Sequence, residues 1–265
     1  MLTEEKINKL KAVVSRYKNA VISLSGGTDS VAMAAVAKNV LGAENVVTAT
    51  AITAFLTDTE KNAAQKASEA LGVTYMPVRI HLMNVADIVK NDKMRCYYCK
   101  RVILSHIDEL RKKAGFDVVF DGGNVTDLGD YRPGLKAVEE FGIVSPFKEA
   151  GFTKEDIAEL LKKYNMQEYI LPSNSCLATR VKTGQQIDLY HLRMICAAET
   201  YITNLGYSHV RCRVDGNKAK IQVDPSEVNE ALAHEEELVF ELRMMGFEEV
   251  TIDKDGYKRA GITNV

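Results

Sequence analysis

Residues 21–24, Val-Ile-Ser-Leu, run directly into Ser25-Gly26-Gly27-Thr28-Asp29-Ser30, and this junction constrains the chain more than any other stretch. The residues before it are apolar or small and predict a short buried strand. Ser30 then opens a helical periodicity that continues to residue 41. A glycine-rich turn between a strand and a helix leaves backbone N–H groups pointing one way. With the positive end of the helix dipole they form an anion site. Gly26 and Gly27 let the backbone approach the anion closely. Ser25, Thr28 and Ser30 are expected to add hydroxyl donors. The spacer and the Gly-Lys-[Ser/Thr] ending of a Walker A loop are absent.

A chain of 265 residues, 46% hydrophobic and 26% charged, has apolar material for one large or two ordinary domains. The formal net charge of −2 argues against an extended nucleic-acid surface, so nucleic acid is not an expected partner. No run of eighteen apolar residues exists, and the start Met1-Leu2-Thr3-Glu4-Glu5-Lys6 is not that of a signal peptide. No membrane is expected, and the expected location is cytoplasmic. In that compartment the five cysteines are better read, where clustered, as metal or redox sites than as disulfides.

Apolar residues at helical spacing predict a leading helix over 7–17. Strands are expected at 46–52, 73–78 and 117–120, with helices at 57–71, 96–114 and 153–164 between and after them. Alternating strands and helices imply an α/β fold with a parallel sheet, whose ligands sit beyond the carboxyl ends of the strands. After Arg180 the pattern changes. A helix over 188–205, a hairpin turning at Asp215-Gly216, a helix over 225–245 and a strand at 249–253 predict a small α+β domain. The expected division is 1–175 for the first domain, 183–265 for the second, and 176–182 as a connector carrying Cys176.

Cys96-Tyr97-Tyr98-Cys99 opens a predicted helix, where the N-terminus favours thiolates. With Cys176 it offers three thiolates, enough for a four-iron cluster with one open iron. A redox dithiol or a structural fragment fits the same spacing. Cys196 and Cys212 lie among apolar neighbours and read as core residues. Arg211 and Arg213 alternate with Cys212, and Lys218 and Lys220 follow on the return strand. That face is either solvated or, given the fork geometry of guanidinium, a phosphate site. The segment 121–134 at the mouth of the predicted cleft carries Asp121, Asp127, Asp130 and Arg132, suited to orienting Mg²⁺–ATP.

The Ser-Gly-Gly-x-Asp-Ser turn resembles the pyrophosphate loop of N-type ATP pyrophosphatases, which cut ATP between its α and β phosphates. The further series Arg95-Cys96-Tyr97-Tyr98-Cys99-Lys100, Asp121-Gly122-Gly123-Asn124 with Asp127, Asp130-Tyr131-Arg132-Pro133-Gly134, Ser145-Pro146, Ser175-Cys176-Leu177-Ala178-Thr179-Arg180 and Arg211-Cys212-Arg213 resembles the LarE family. The resemblance spans about residues 3–260. It implies an adenine nucleotide alpha hydrolase-like first domain, and a second domain for substrate binding and oligomerisation. It also implies an ATP-dependent sulfur transferase of nickel-pincer cofactor biosynthesis. Such an enzyme adenylates a carboxylate of pyridinium-3,5-biscarboxylic acid mononucleotide and replaces its oxygen with sulfur, twice.

The resemblance further implies ATP and Mg²⁺ at Ser25, Gly26, Gly27, Asp29, Ser30, Gly122, Asp127 and Arg132. Catalytic roles fall to Asp29, Cys176 and Arg180, and the substrate phosphate to Arg211 and Arg213. The family has a branch that sacrifices one cysteine and a branch with a [4Fe-4S] cluster that carries sulfide. Cys96, Cys99 and Cys176 match the second. A sulfide donor and a homo-oligomer are the expected partners. Where relatives carry a Ser/Pro-rich stretch, this chain has Thr53-Ala54-Phe55-Leu56-Thr57. The competing readings are a tRNA thiolase with a three-cysteine cluster, an amidating synthetase such as an NAD synthetase, and a nucleotide-binding regulator without chemistry.

Overall fold

A computed structural model describes residues 2–129, 133–172 and 174–258. It divides into two compact units, Met1–Leu82 with Cys96–Asn174, and Met83–Arg95 with Ser175–Val265. The sequence reading gave residues 83–95 to the first domain; in the structure they group with the second unit.

The first unit contains α1 (Glu4–Val14), β1 (Ala20–Ser23), α2 (Thr28–Leu41), β2 (Val46–Ile52), α3 (Asp58–Leu71) and β3 (Thr74–Arg79). In chain order α4 (Ala86–Val89) belongs to the second unit. Then come α5 (Arg95–Ala114), β4 (Val118–Phe120), α6 (Gly134–Glu140), α7 (Pro146–Ala150) and α8 (Lys154–Lys163). The sheet is parallel throughout, in the order β3-β2-β1-β4. β1 and β2 are short runs of apolar and β-branched residues because they pair on both edges and are covered on both faces. β1 lies between β2 and β4, so strand order reverses beside it. In such sheets the crevice at the carboxyl end of the reversal is the ligand site, and here that end leads into residues 25–27.

α2 is apolar nearly all round, and Val31 through Ala37 are buried. A helix with no polar face must lie inside the core. Its alanines allow close approach by its neighbours. Leu10, Ile22, Phe120, Phe147 and Phe152 complete that core, with the last two rings 5.4 Å apart.

The second unit has α9 (Leu189–Asn204), β5 (Arg211–Asp215), β6 (Lys218–Gln222), α10 (Val228–Ala233), α11 (Glu235–Met244) and β7 (Glu249–Ile252). β5 and β6 form the expected antiparallel hairpin, but it turns on Gly216 and Asn217, one residue later than expected, because Asp215 pairs with Lys218; β7 joins β6 in parallel. Cys212, Val214, Ala219 and Ile221 face inward and are buried. The helix expected over 225–245 is broken. A 3₁₀ turn at Pro225–Glu227 precedes α10, and His234 separates α10 from α11. Asn91 explains why residues 83–95 join this unit. It takes a left-handed conformation (φ 59°), and its Nδ2 donates to the carbonyls of Lys182 and Gln185, each at 2.9 Å.

Candidate functional site

The turn after β1 is shaped by its own side chains. Ser30 Oγ donates to the Gly27 carbonyl (2.9 Å) and accepts from the Ser25 N–H (3.2 Å). Gly26 has φ +82°, and a Cβ there would stand 2.6 Å from the Glu60 carbonyl oxygen, so only glycine fits against α3. Gly27 is the N-cap of α2, and no side chain caps the helix; α1, α3, α8 and α9 are each capped by a threonine or aspartate. The first-turn N–H groups of a helix lack intrahelical acceptors, and at α2 the glycine turn leaves them open to an anion.

Thr28 corrects one expectation. Its hydroxyl accepts from the Leu171 N–H (2.9 Å) and donates to the Tyr169 carbonyl (3.0 Å). It therefore tethers the segment 169–171 and is not aimed at an anion.

Polar groups from the segment after β4 meet this turn. A Cβ on Gly122 would lie 2.8 Å from the Asp29 carbonyl carbon and 2.9 Å from the Ser30 nitrogen. Its lack of a side chain lets β4 close against the start of α2. Asn124 Nδ2 donates to the Asp29 carboxylate (3.1 Å). Asp121 accepts from Ser145 Oγ (2.6 Å) and from the Gly123 N–H (3.1 Å). Asp127 is buried, 3.8 Å from Lys154 Nζ. Asp29 and Asp127 are thus carboxylates joined through Asn124 at the glycine turn, a chemistry suited to Mg²⁺. Arg132, with Asp130 and Tyr131, lies outside the described residues.

Cys96 and Cys99 are half-buried in the first turn of α5. Three residues apart on a helix, they share one side. Tyr97 between them is anchored by donating to the Glu140 carboxylate (2.9 Å), and that bond, with burial, raises its pKa. Among the described residues no three or more His, Cys, Asp or Glu side chains are grouped to hold a metal ion.

In the second unit Cys176 is exposed, at the start of a 3₁₀ turn, Leu177–Arg180. Arg180, 1% exposed, organises that turn. Its guanidinium forks onto Glu199 of α9 (2.8 and 3.1 Å) and donates to the Ser175 carbonyl (2.6 Å) and the Cys176 carbonyl (3.3 Å). The same Glu199 accepts from the Cys212 N–H of β5 (2.9 Å). Arg180, expected to be catalytic, is thus committed to holding the backbone that carries Cys176.

Strand register puts Arg211 and Arg213 on one face, with Arg213 opposite Lys220. Lys218 instead pairs with Glu249 at 2.6 Å. Arg213 Nη1 donates to the Thr179 carbonyl (2.8 Å). Arg211 is buried, and its Nε has no hydrogen-bond partner. An orphaned buried donor on a charged group costs about 1–3 kcal/mol or more, which an arriving anion would recover. Burial, then the Arg180 guanidinium, pull the Arg211 and Arg213 pKa values down. An anion would relieve this crowding of positive charge. Cys212 is fully buried, and burial pushes its thiol far up, so it is an inert core residue. Cys196 is half-buried.

Glu199, Gln222 and Tyr257 are polar groups at these sites that the sequence does not single out. Each meets its partner through strand pairing or packing between elements, and no local spacing marks them.

The family described as NAD synthase matches residues 2–96, which contain the turn after β1. An uncharacterized protein of Synechocystis sp. is 32% identical over 266 residues, covering 100% of this chain and 99% of the relative. The pyridinium-3,5-bisthiocarboxylic acid mononucleotide synthase of Lactiplantibacillus plantarum is 28% identical over 249 residues, covering 94% and 90%. An uncharacterized protein of Methanocaldococcus jannaschii is 28% identical over 261 residues, covering 97% and 99%. With a pyrophosphate-loop turn at the carboxyl end of β1 and likeness to these proteins along nearly its whole length, the chain belongs to the LarE family of PP-loop proteins.

Proposed function

We propose that the protein is an ATP-dependent sulfur transferase that converts a carboxylate of pyridinium-3,5-biscarboxylic acid mononucleotide into a thiocarboxylate, for nickel-pincer cofactor biosynthesis. The observation that carries the reading is the buried Arg211, with its orphaned Nε, in the same unit as the turn that bears Cys176. It supports an anion site in a chain that resembles a synthase named for a mononucleotide product.

In this reading the uncapped start of α2 and the backbone of Ser25, Gly26 and Gly27 hold the ATP phosphates. Asp29, oriented by Asn124, and Asp127 hold Mg²⁺, and Gly122 keeps the β4 end close. The substrate carboxylate attacks the α-phosphorus, the bond to the bridging oxygen breaks, and pyrophosphate leaves. Arg211 and Arg213 hold the substrate's phosphate in bidentate hydrogen bonds. A sulfur nucleophile then attacks the acyl carbon, and AMP leaves with the carbon–oxygen bond electrons.

Cys96, Cys99 and Cys176 are the proposed ligands of a [4Fe-4S] cluster. Sulfur ligands suit such a cluster, and Cys96 and Cys99 share one side of a helix start; Cys176 joins them on the resemblance alone, since among the described residues no three such side chains are grouped. When bound, the cluster would supply replaceable sulfide on the iron that no cysteine ligates.

Substrate-dependent turnover should release AMP and pyrophosphate; ADP and phosphate would refute the ATP chemistry. Anaerobic reconstitution should give about four irons per chain. Single alanine substitutions at Cys96, Cys99 and Cys176 should lose most of that iron, and Cys196→Ala should keep it. Dehydroalanine at position 176, with activity surviving Cys96→Ala, would replace the cluster with a sacrificial cysteine.

A further inference from the structure

The C-terminal turn after β7 stands at the arginine face, and nothing in the reaction proposed above uses it. Asp253 N–H donates to the Ile221 carbonyl (2.8 Å), and Tyr257 N–H donates to the Val223 carbonyl (2.7 Å). Between them Gly256 has φ +67°, and a Cβ there would meet Pro225 Cα at 2.9 Å and the Val223 carbonyl oxygen at 3.0 Å. The turn is therefore pinned at both ends and packed too tightly for any side chain at its bend.

Two side chains leave this turn toward the two arginines. The Arg211 guanidinium carbon stands 4.8 Å from the Tyr257 ring centroid, a cation–π distance. The Tyr257 ring is backed by His209, stacked at 6.1 Å with an interplanar angle of 25°. His209 is itself held by Asp224 (2.9 Å). Asp253 accepts from Gln222 Nε2 (2.9 Å), which fixes the Gln222 amide so that its oxygen accepts from Arg213 Nε (3.2 Å). One turn thus holds Arg211 against the Tyr257 ring and Arg213 through a hydrogen-bonded relay.

We propose that residues 253–257 are the positioning element of the anion site. Tyr257 orients Arg211, and Asp253, acting through Gln222, orients Arg213, so that the two forks converge on a single phosphate monoester. This rests on the reading that Arg211 and Arg213 bind the substrate's phosphate. Preorganisation of this kind matters because a guanidinium discriminates by geometry: two forks set in advance fit a tetrahedral dianion, and loose ones bind any anion weakly.

The test is calorimetric titration of pyridinium-3,5-biscarboxylic acid mononucleotide, with ATP as the control ligand. The variants are Arg211→Ala, Tyr257→Leu, Tyr257→Phe and Gln222→Ala, each with its melting temperature measured. Tyr257→Leu should weaken mononucleotide binding about tenfold, the scale of a desolvated cation–π contact. Tyr257→Phe should restore most of the loss, because the ring face remains. ATP affinity should not change, and in turnover the effect should fall on KM for the mononucleotide. Gln222→Ala should weaken the mononucleotide in the same way, and covers the case in which Tyr257→Leu does not fold. If Arg211→Ala loses the ligand while Tyr257→Leu, or failing it Gln222→Ala, binds as tightly as wild type, the positioning role is wrong and the phosphate site stands. If Arg211→Ala binds as wild type, the phosphate site itself is wrong.

Discussion

At the scale of single residues, the two sites are built from groups whose neighbours leave little choice. Gly26 needs a positive φ and has Glu60 against it, so Gly26→Ala should lower stability by about 1–3 kcal/mol and abolish ATP binding. Gly122 needs no special φ; its constraint is contact with the start of α2 alone. Gly122→Ala should therefore cut ATP affinity by forcing β4 from α2, and unchanged affinity by calorimetry would refute that. Arg180 and Cys176 differ in the opposite way. Arg180→Met leaves Glu199 without its buried partner and should cost about 3–5 kcal/mol in urea unfolding. Cys176→Ala, at an exposed position, should cost about 0.5 kcal/mol or less. Equal losses would mean that Arg180 does not carry the 175–180 turn.

At the scale of elements, the caps were legible. The Thr57 and Thr153 spacings form complete capping boxes at the starts of α3 and α8. Thr153→Ala should destabilise by about 1 kcal/mol. The partner of Thr153 has a second bond that no local pattern announces: Asp156 is buried and pairs with Lys6 of α1 at 2.6 Å. Burial pushes the Asp156 carboxyl up, but hydrogen bonds from Lys6 and from the Thr153 N–H outweigh it and hold it below the usual range. The stability it contributes is thus present above the unfolded aspartate pKa of about 3.9 and is lost as pH falls through the lower folded value. Asp156→Asn should lower stability at pH 7 and flatten the acid side of the stability–pH curve; a curve parallel to wild type would refute the link. The hairpin was legible, to within one residue of its turn, because apolar residues alternate on both sides of Gly216. The break at His234 was not, since Val228, Ala231, Leu238 and Leu242 keep an apolar stripe through it.

At the scale of the whole molecule, the chain passes between its two units more than once, because residues 83–95 leave the first unit and return at Cys96. Among the described residues no helix is long and apolar enough to cross a membrane. The formal charge of −2 disfavours a phosphodiester backbone as partner. A tRNA gel shift at moderate salt should show no retardation, and a salt-dependent shift would restore the thiolase reading. Self-association is expected, with a sedimentation mass above the 29.4 kDa of one chain; a single species at that mass would refute it.

The sequence alone determined whatever depends on neighbours a few residues apart: the strand–turn–helix at residues 21–41, the parallel α/β order, the hairpin face of Arg211 and Arg213, and the Cys-x-x-Cys helix start. These are set by periodicity, capping and glycine conformation, all local. Tertiary structure decided that Thr28 tethers residues 169–171, that Lys218 is taken up by Glu249, that Arg180 serves Glu199 and the Ser175 backbone, and that Asn91 draws residues 83–95 into the second unit. In each case a polar group had several partners within reach of its chemistry. For Arg180 and Asn91 burial selected one, because a buried donor or acceptor left unpaired costs more than any local preference supplies; for the exposed Lys218 the pairing of β6 with β7 did, by setting it opposite Glu249.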